Sequence, residues 1–194
     1  MVKVDLYMLD TNQISLESLL ENPLLKRGDI EESLKYQDPT QKKEHLASRI
    51  LKNKYVGVFY FGENFKPKSD NCFFNVSHSL GLVVLALNYD YEIGVDVEGD
   101  KERGPSLAKY IMSEEEYSSG YSLKEIWTVK ESMLKSVGLR VPNRFKEIPA
   151  LPLNGVKKYR DKIMRTKTFV FNEYYICVCL LTDEDFSINI IEER

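Results

Sequence analysis

The order of helical and extended segments in this chain predicts an α+β fold with antiparallel sheets. Two observations carry the prediction. Strand-like runs arrive in neighbouring groups, at 82–88 with 92–98 and again at 168–172, 175–181 and 186–191. The helical patterns, at 41–54 and 123–137, each precede one of those groups and do not alternate with single strands, as a doubly wound parallel sheet requires. With 194 residues there is material for one sizeable core or two small halves.

Residues 2–9 alternate apolar and polar side chains, which predicts a strand, and 14–20 reads as a short helix opened by Asn12 or Ser15. Asp38-Pro39-Thr40 is a helix start. Beyond it Leu46, Ala47, Ile50 and Leu51 recur at helical spacing, leaving Lys42, Lys43, Arg49, Lys52 and Lys54 as a basic face. Residues 56–61 read as a strand and 62–71 as a loop. The runs 82–88 and 92–98 are expected to form a hairpin joined around 88–91. Residues 99–105 make a loop, and 106–112 begin a helix. Ser113 with Glu116 fits a capping box, and Ser122 opens the helix 123–137 that Gly138 closes.

Composition excludes several classes. The first residues, MVKVDLYMLD, include two acids and lack the basic and apolar regions of a signal peptide. No apolar run approaches the roughly 20 residues of a membrane helix. A net charge of -3 gives no electrostatic case for nucleic acid. Cys72, Cys177 and Cys179 are odd in number, and the last two sit in an apolar strand pattern, as buried thiols in a reducing compartment would. The expectation is a cytoplasmic protein.

Two clusters suggest chemistry. In GVDVE, at 94–98, an extended backbone puts Asp96 and Glu98 on one face and sends Val95 and Val97 into the core. Two carboxylates that close repel, a cost that a bound cation removes. Magnesium suits hard oxygen ligands, and it usually takes one or two carboxylates with waters and substrate phosphates. In WTVKESMLK, at 127–135, Trp127 and Lys135 lie four residues either side of Glu131, flanking the acid on one helix face. The plainer account is a surface pair of Glu131 and Lys135 worth about 0.3 to 0.5 kcal/mol, with Lys130 snorkelling out of the apolar stripe. His78, in Asn75-Val76-Ser77-His78-Ser79, stands just before an apolar strand, where hydroxyls and an imidazole can meet a phosphate. A hydrolase triad is disfavoured: no G-x-S-x-G elbow occurs, and Ser77 and His78 would point in opposite directions on a strand. Cys and His spacing for a metal site is absent.

Three ordered blocks, FNVSHS at 74–79, IGVDVE at 93–98 and WTVKESMLK at 127–135, resemble the 4'-phosphopantetheinyl transferases, specifically the surfactin-synthetase-activating (Sfp) type. KKEHLASR at 42–49 is a looser match. Lys66-Pro67 is similar to the family's Gly-Lys-Pro element, with Phe65 in place of the glycine. The likeness covers about 42–140. It implies a pseudodimer of two similar halves, 1–91 and 92–194, each an antiparallel sheet packed with helices, with coenzyme A and the metal between them. It also implies transfer of phosphopantetheine from coenzyme A to a serine of an acyl or peptidyl carrier protein, releasing adenosine 3',5'-bisphosphate, by a monomer. By matching positions, Asp96, Glu98 and Glu131 would hold magnesium. Glu131, or a water it polarises, would take the serine proton, helped by Lys135. Ser77 and His78 would contact coenzyme A phosphates, with Lys66, Lys43 and Arg49 as further candidates.

Two other readings compete. An inactive relative would bind carrier without modifying it, against which the intact acidic trio argues. A different magnesium-dependent phosphoryl-transfer enzyme would be expected to show a phosphate loop, and no G-x-x-x-x-G-K-[ST] occurs. The tract KKYRDKIMRTK, at 157–167, could steer an acidic carrier or simply be solvated, and apolar residues around 111–121 could dock one.

Overall fold

The computed structural model describes residues 1–62, 66–101, 104–139 and 145–193. Phe65 and Arg140 lie outside the described residues. The strands are β1 (Val2–Asp10), β2 (Tyr60–Phe61), β3 (Pro67–Lys68), β4 (Phe73–Ser79), β5 (Leu82–Asn88), β6 (Ile93–Glu98), β7 (Gly155–Tyr159), β8 (Lys162–Phe171), β9 (Tyr174–Leu180) and β10 (Phe186–Glu193). The helices are α1 (Leu16–Leu20), α2 (Arg27–Ser33), α3 (Pro39–Tyr55), α4 (Pro105–Ile111), α5 (Glu114–Ser118) and α6 (Leu123–Ser136).

Local chemistry sets the helix starts. Ser15, Asp38, Ser113 and Ser122 each accept a backbone N–H of the first turn, satisfying donors that have no partner within the helix. Ser113 and Ser122 complete reciprocal capping boxes with Glu116 and Glu125.

Two four-stranded sheets stack face to face. The first has the order β10-β1-β5-β4, the second β6-β9-β8-β7. All pairings are antiparallel except β1 with β10, which runs parallel and brings a late strand into the first sheet. Val4, Leu6, Val84, Val95, Val97, Ile176, Val178 and Phe186 fill the core between the sheets. On the outer face of the first sheet Val83, Leu85 and Phe74 pack under Ala47 and Leu51 of α3. On the outer face of the second, Cys177, Cys179 and Met164 pack under Ile126, Val129 and Met133 of α6. The result is four layers, helix, sheet, sheet, helix, in keeping with the α+β prediction.

Several expectations need correction. β5 and β6 do not form a hairpin: β5 pairs with β1 and β4, and β6 with β9. Between them the chain passes from one sheet to the other through a turn organised by buried Asn88. Its Oδ1 accepts from the N–H of Asp90 and Tyr91, and its Nδ2 donates to Lys3 O. The real hairpin is β4–β5, turned by Leu80 and Gly81, both at positive φ, as a two-residue loop requires. A Cβ on Gly81 would lie 2.4 Å from Asn12 Oδ1, so only glycine fits. The strand expected at 56–61 shrinks to Tyr60–Phe61, whose side chains are exposed. The tract 157–167 is no simple solvated run but the β7–β8 hairpin. There Lys157 is buried, its ammonium 2.5 Å from Thr166 Oγ1.

Candidate functional site

The close packing of α6 on β6 begins at Gly94. A Cβ there would lie 2.0 Å from Ser132 O and 2.4 Å from Ser136 N, so glycine alone permits the helix backbone to touch the strand. Ser132 and Ser136 are one turn apart, buried, and bonded back to Val129 O and Met133 O, which keeps their hydroxyls out of the way. Side chains alternate along β6, so Asp96 and Glu98 share the face of Gly94. Seating the helix on Gly94 therefore brings Lys135 over Asp96.

The ammonium of Lys135 donates to Asp96 Oδ1 at 2.6 Å and to Ser77 Oγ at 2.9 Å, and Ser77 Oγ–H donates to Asp96 Oδ1 at 2.9 Å. Three elements thus meet at one buried carboxylate: β4, β6 and α6. Burial pushes the Asp96 pKa up from the usual carboxylate value and nearby Glu98 adds to the rise, while Lys135 and the Ser77 hydroxyl oppose it. Asp96 Oδ2 is buried without a hydrogen-bond partner. An orphaned carboxylate oxygen beside a second buried carboxylate, Glu98, fits a hard divalent cation completed by waters and phosphate oxygens. Among the described residues, no group of three or more His, Cys, Asp or Glu side chains is arranged to hold a metal ion by itself.

Ser77 belongs to a wider seam. β4 and β6 are the edge strands of their sheets, and β6 would leave outward N–H groups unpaired. Asn75 Oδ1 accepts from Val95 N at 3.0 Å, Ser77 Oγ from Val97 N at 3.3 Å, and Ser79 Oγ from Gly99 N at 3.1 Å. Alternation on β4 aims these three polar side chains at β6. The sequence signal is the alternation Asn-x-Ser-x-Ser, which marks one face of a strand where the sequence analysis assigns no element.

His78, on the opposite face of β4, is half exposed. Its Nδ1 stands 2.8 Å from Glu44 Oε2, and Glu44 Oε1 accepts from Gly81 N at 2.7 Å. Burial would raise the Glu44 pKa, but the bonds from His78 and Gly81 hold it below the ordinary value, so the carboxylate is the acceptor and Nδ1–H the donor. Glu44 went unnoticed in the sequence because a glutamate in a Lys-rich helix looks like a surface residue.

The other expected phosphate contacts are engaged elsewhere. Lys66 is buried, its ammonium 2.5 Å from Glu92 Oε2 and 2.6 Å from Ser136 O at the end of α6. Lys43 donates to Thr11 O at 2.7 Å and Ile14 O at 3.0 Å. Arg49 pairs with Glu32, and with Asp29 at 3.4 Å. Lys130 does not snorkel. It is fully buried, with its ammonium 2.6 Å from Glu116 Oε2 and 2.8 Å from Ile111 O, and it ties α6 to α4 and α5. Trp127 stacks on Phe145 with ring centroids 5.2 Å apart, fixing the outer side of the same helix. None of the helices among the described residues is long and apolar enough to cross a membrane.

Comparison with known proteins bears on the second sheet and its helix. Residues 92–179, which hold Asp96, Glu98, Glu131 and Lys135, match the family model of the 4'-phosphopantetheinyl transferase superfamily. The chain is 34% identical over 91 residues to the 4'-phosphopantetheinyl transferase gsp of Aneurinibacillus migulanus, covering 42% of this chain and 38% of that protein. It is 26% identical over 170 residues to a Synechocystis sp. protein whose name gives the same activity provisionally, covering 74% of this chain and 66% of that one. The chain thus spans less than two thirds of the length of either relative. Over residues 92–179, where strand β6 and helix α6 build the acidic junction, the chain is similar to the 4'-phosphopantetheinyl transferase superfamily.

Proposed function

We propose that this protein transfers the 4'-phosphopantetheine group of coenzyme A to a serine of an apo acyl or peptidyl carrier protein, releasing adenosine 3',5'-bisphosphate. The observation that carries the reading is the junction of Asp96, Ser77 and Lys135, within 3 Å of one another, inside or beside the matched region. Asp96 Oδ2, Glu98 and Glu131 would hold magnesium, which when bound neutralises charge on the phosphoryl group and its leaving group. Lys135 holds Asp96 Oδ1 and presents a cation where negative charge gathers during transfer. Glu131, or a water it polarises, takes the proton of the attacking serine.

Among the residues expected to meet coenzyme A, His78 has the accessible side chain, and Glu44 orients it. Lys66, Lys43 and Arg49 would join only by exchanging their present protein partners. Coenzyme A and the metal would lie between the half 1–91 and the half 92–194. Action as a cytoplasmic monomer completes the reading, and three buried free thiols suit a reducing compartment.

The test is intact-protein mass spectrometry of apo fatty-acid, polyketide and nonribosomal-peptide carriers incubated with the protein and coenzyme A, with and without magnesium. A metal-dependent gain of one phosphopantetheine on any carrier supports the reading. Binding of a carrier with no gain on any of them favours the inactive relative.

A further inference from the structure

Where α2 lies against α3, its acids are already engaged. Arg49 reaches Asp29 at 3.4 Å and also Glu32, and Asn53 Nδ2 donates to Asp29 Oδ2 at 2.9 Å. One turn beyond Arg49, Lys52 is half-buried and forms no ion pair among the described residues. Its ammonium lies 5.2 Å from the centroid of the Phe59 ring, and the Arg49 guanidinium lies 5.8 Å from the same centroid. Two cations thus crowd one aromatic ring. Burial, then the Arg49 charge, lowers the Lys52 pKa to about 8, against the pull of Asp29 and Glu32. His45, one turn before Arg49, is also held below its ordinary pKa, first by burial, then by Arg49, with Lys52 adding to the effect. Lys54 makes the contrast on the same helix: exposed, with its ammonium 2.6 Å from Glu193 Oε2, it is held above its ordinary pKa by that bond.

We propose that Lys52 is a nucleophilic lysine that accepts acyl groups from thioesters of coenzyme A and so is a site of covalent modification. Partial desolvation beside a second cation keeps a lysine amine unprotonated, and therefore nucleophilic, near neutral pH. The free amine attacks the thioester carbonyl carbon. The new C–N bond forms as the C–S bond breaks, coenzyme A leaves as its thiolate, and the proton shed by the nitrogen passes through water to that thiolate. The amide product is neutral and no longer repels Arg49. The step needs neither carrier nor magnesium, and the inference stands apart from the transferase reading.

The test incubates the full chain with acetyl-coenzyme A alone, from about pH 6.5 to about pH 9.5, and follows the acetylation of each lysine by peptide mass spectrometry. At about pH 7.5 Lys52 is expected to react about 10-fold faster than Lys54. Its rate should climb about tenfold per pH unit and level off above about 8, whereas the rate at Lys54 keeps climbing. Equal rates at the two lysines, or a Lys52 rate still climbing at about pH 9.5, overturns the proposal. Arg49→Gln removes the second cation and frees Glu32 to pair with Lys52. With the acetyl thioester of N-acetylcysteamine, which lacks the nucleotide that Arg49 could attract, this variant should slow Lys52 at least about threefold and leave Lys54 unchanged. An unchanged Lys52 rate in Arg49→Gln rejects the crowded pair as the source of the reactivity.

Discussion

Helices α3 and α6 occupy matching outer layers, yet they are held in place by different means. On α3, charged side chains do much of the anchoring. Lys43 reaches the Thr11 and Ile14 carbonyls, Glu44 reaches His78 and Gly81, and Arg49 reaches Asp29 and Glu32. On α6 the backbone itself lies against Gly94, with serines at the contact and one buried ion pair at Lys130. Long, charged anchors tolerate small shifts, whereas backbone contact does not. The difference teaches that the acidic junction is built on the helix whose position is most tightly fixed, as a reaction needing sub-ångström placement requires.

The largest effect is expected at Lys130, the buried charge on which α6 relies. Lys130→Met leaves Glu116 buried and unpaired and should cost about 3–5 kcal/mol in urea unfolding, with Glu116→Gln in the same chain recovering part of it. Next comes the contact itself. Gly94→Val should cost about 3 kcal/mol, because the new side chain meets backbone that has nowhere to move. Both variants should also lose transfer activity, whereas Arg49→Ala on α3, which leaves the buried Asp29 to its bonds from Asn53 and the Lys26 N–H, should cost less, about 1–3 kcal/mol. Glu131→Gln sharpens the contrast from the other side. It should lower transfer about 100-fold or more while the unfolding midpoint and coenzyme A affinity stay put.

One further effect emerges only when pH is varied, and it belongs to α3. Burial, followed by the neighbouring Arg49 charge, lowers the pKa of Lys52 from its ordinary 10.5 to about 8. Between about 8 and 10.5 the unfolded chain binds more protons than the folded one, so stability should rise with pH across that window. Below about 8 both states are protonated and the contribution is flat. Unfolding titrations of Lys52→Met should lack the rise; an unchanged slope would assign it to another group.

These contrasts bear on what the sequence revealed. The helix caps Ser15, Asp38, Ser113 and Ser122 were legible because capping is local chemistry. So was the shared face of Asp96 and Glu98, because strand alternation is local too. β4 escaped because its inward residues are Asn75, Ser77 and Ser79, polar side chains whose partners are backbone groups of another sheet. The mistaken hairpin arose for a related reason: two apolar strands joined by a short turn look alike whether they pair or part, and only the role of Asn88 separates the cases. Lys66 and Lys43 looked like phosphate ligands because a lysine's charge is visible in sequence, whereas the carbonyl that satisfies it is not.

The parallel pairing of Val2 with Phe186 gives the molecule a particular order of completion as it is made. On the ribosome β1 emerges first, and β4 and β5 can join it within the first 88 residues, but its other edge stays open until residues 186–193 have been translated. Between the making of β1 and that of residue 186 the nascent chain therefore carries an unprotected strand edge beside a gap awaiting the Phe186 ring, the kind of exposure that invites pairing with other chains. A chain stalled anywhere before Phe186 should remain a client of the cell's folding assistants, however complete its acidic junction already is.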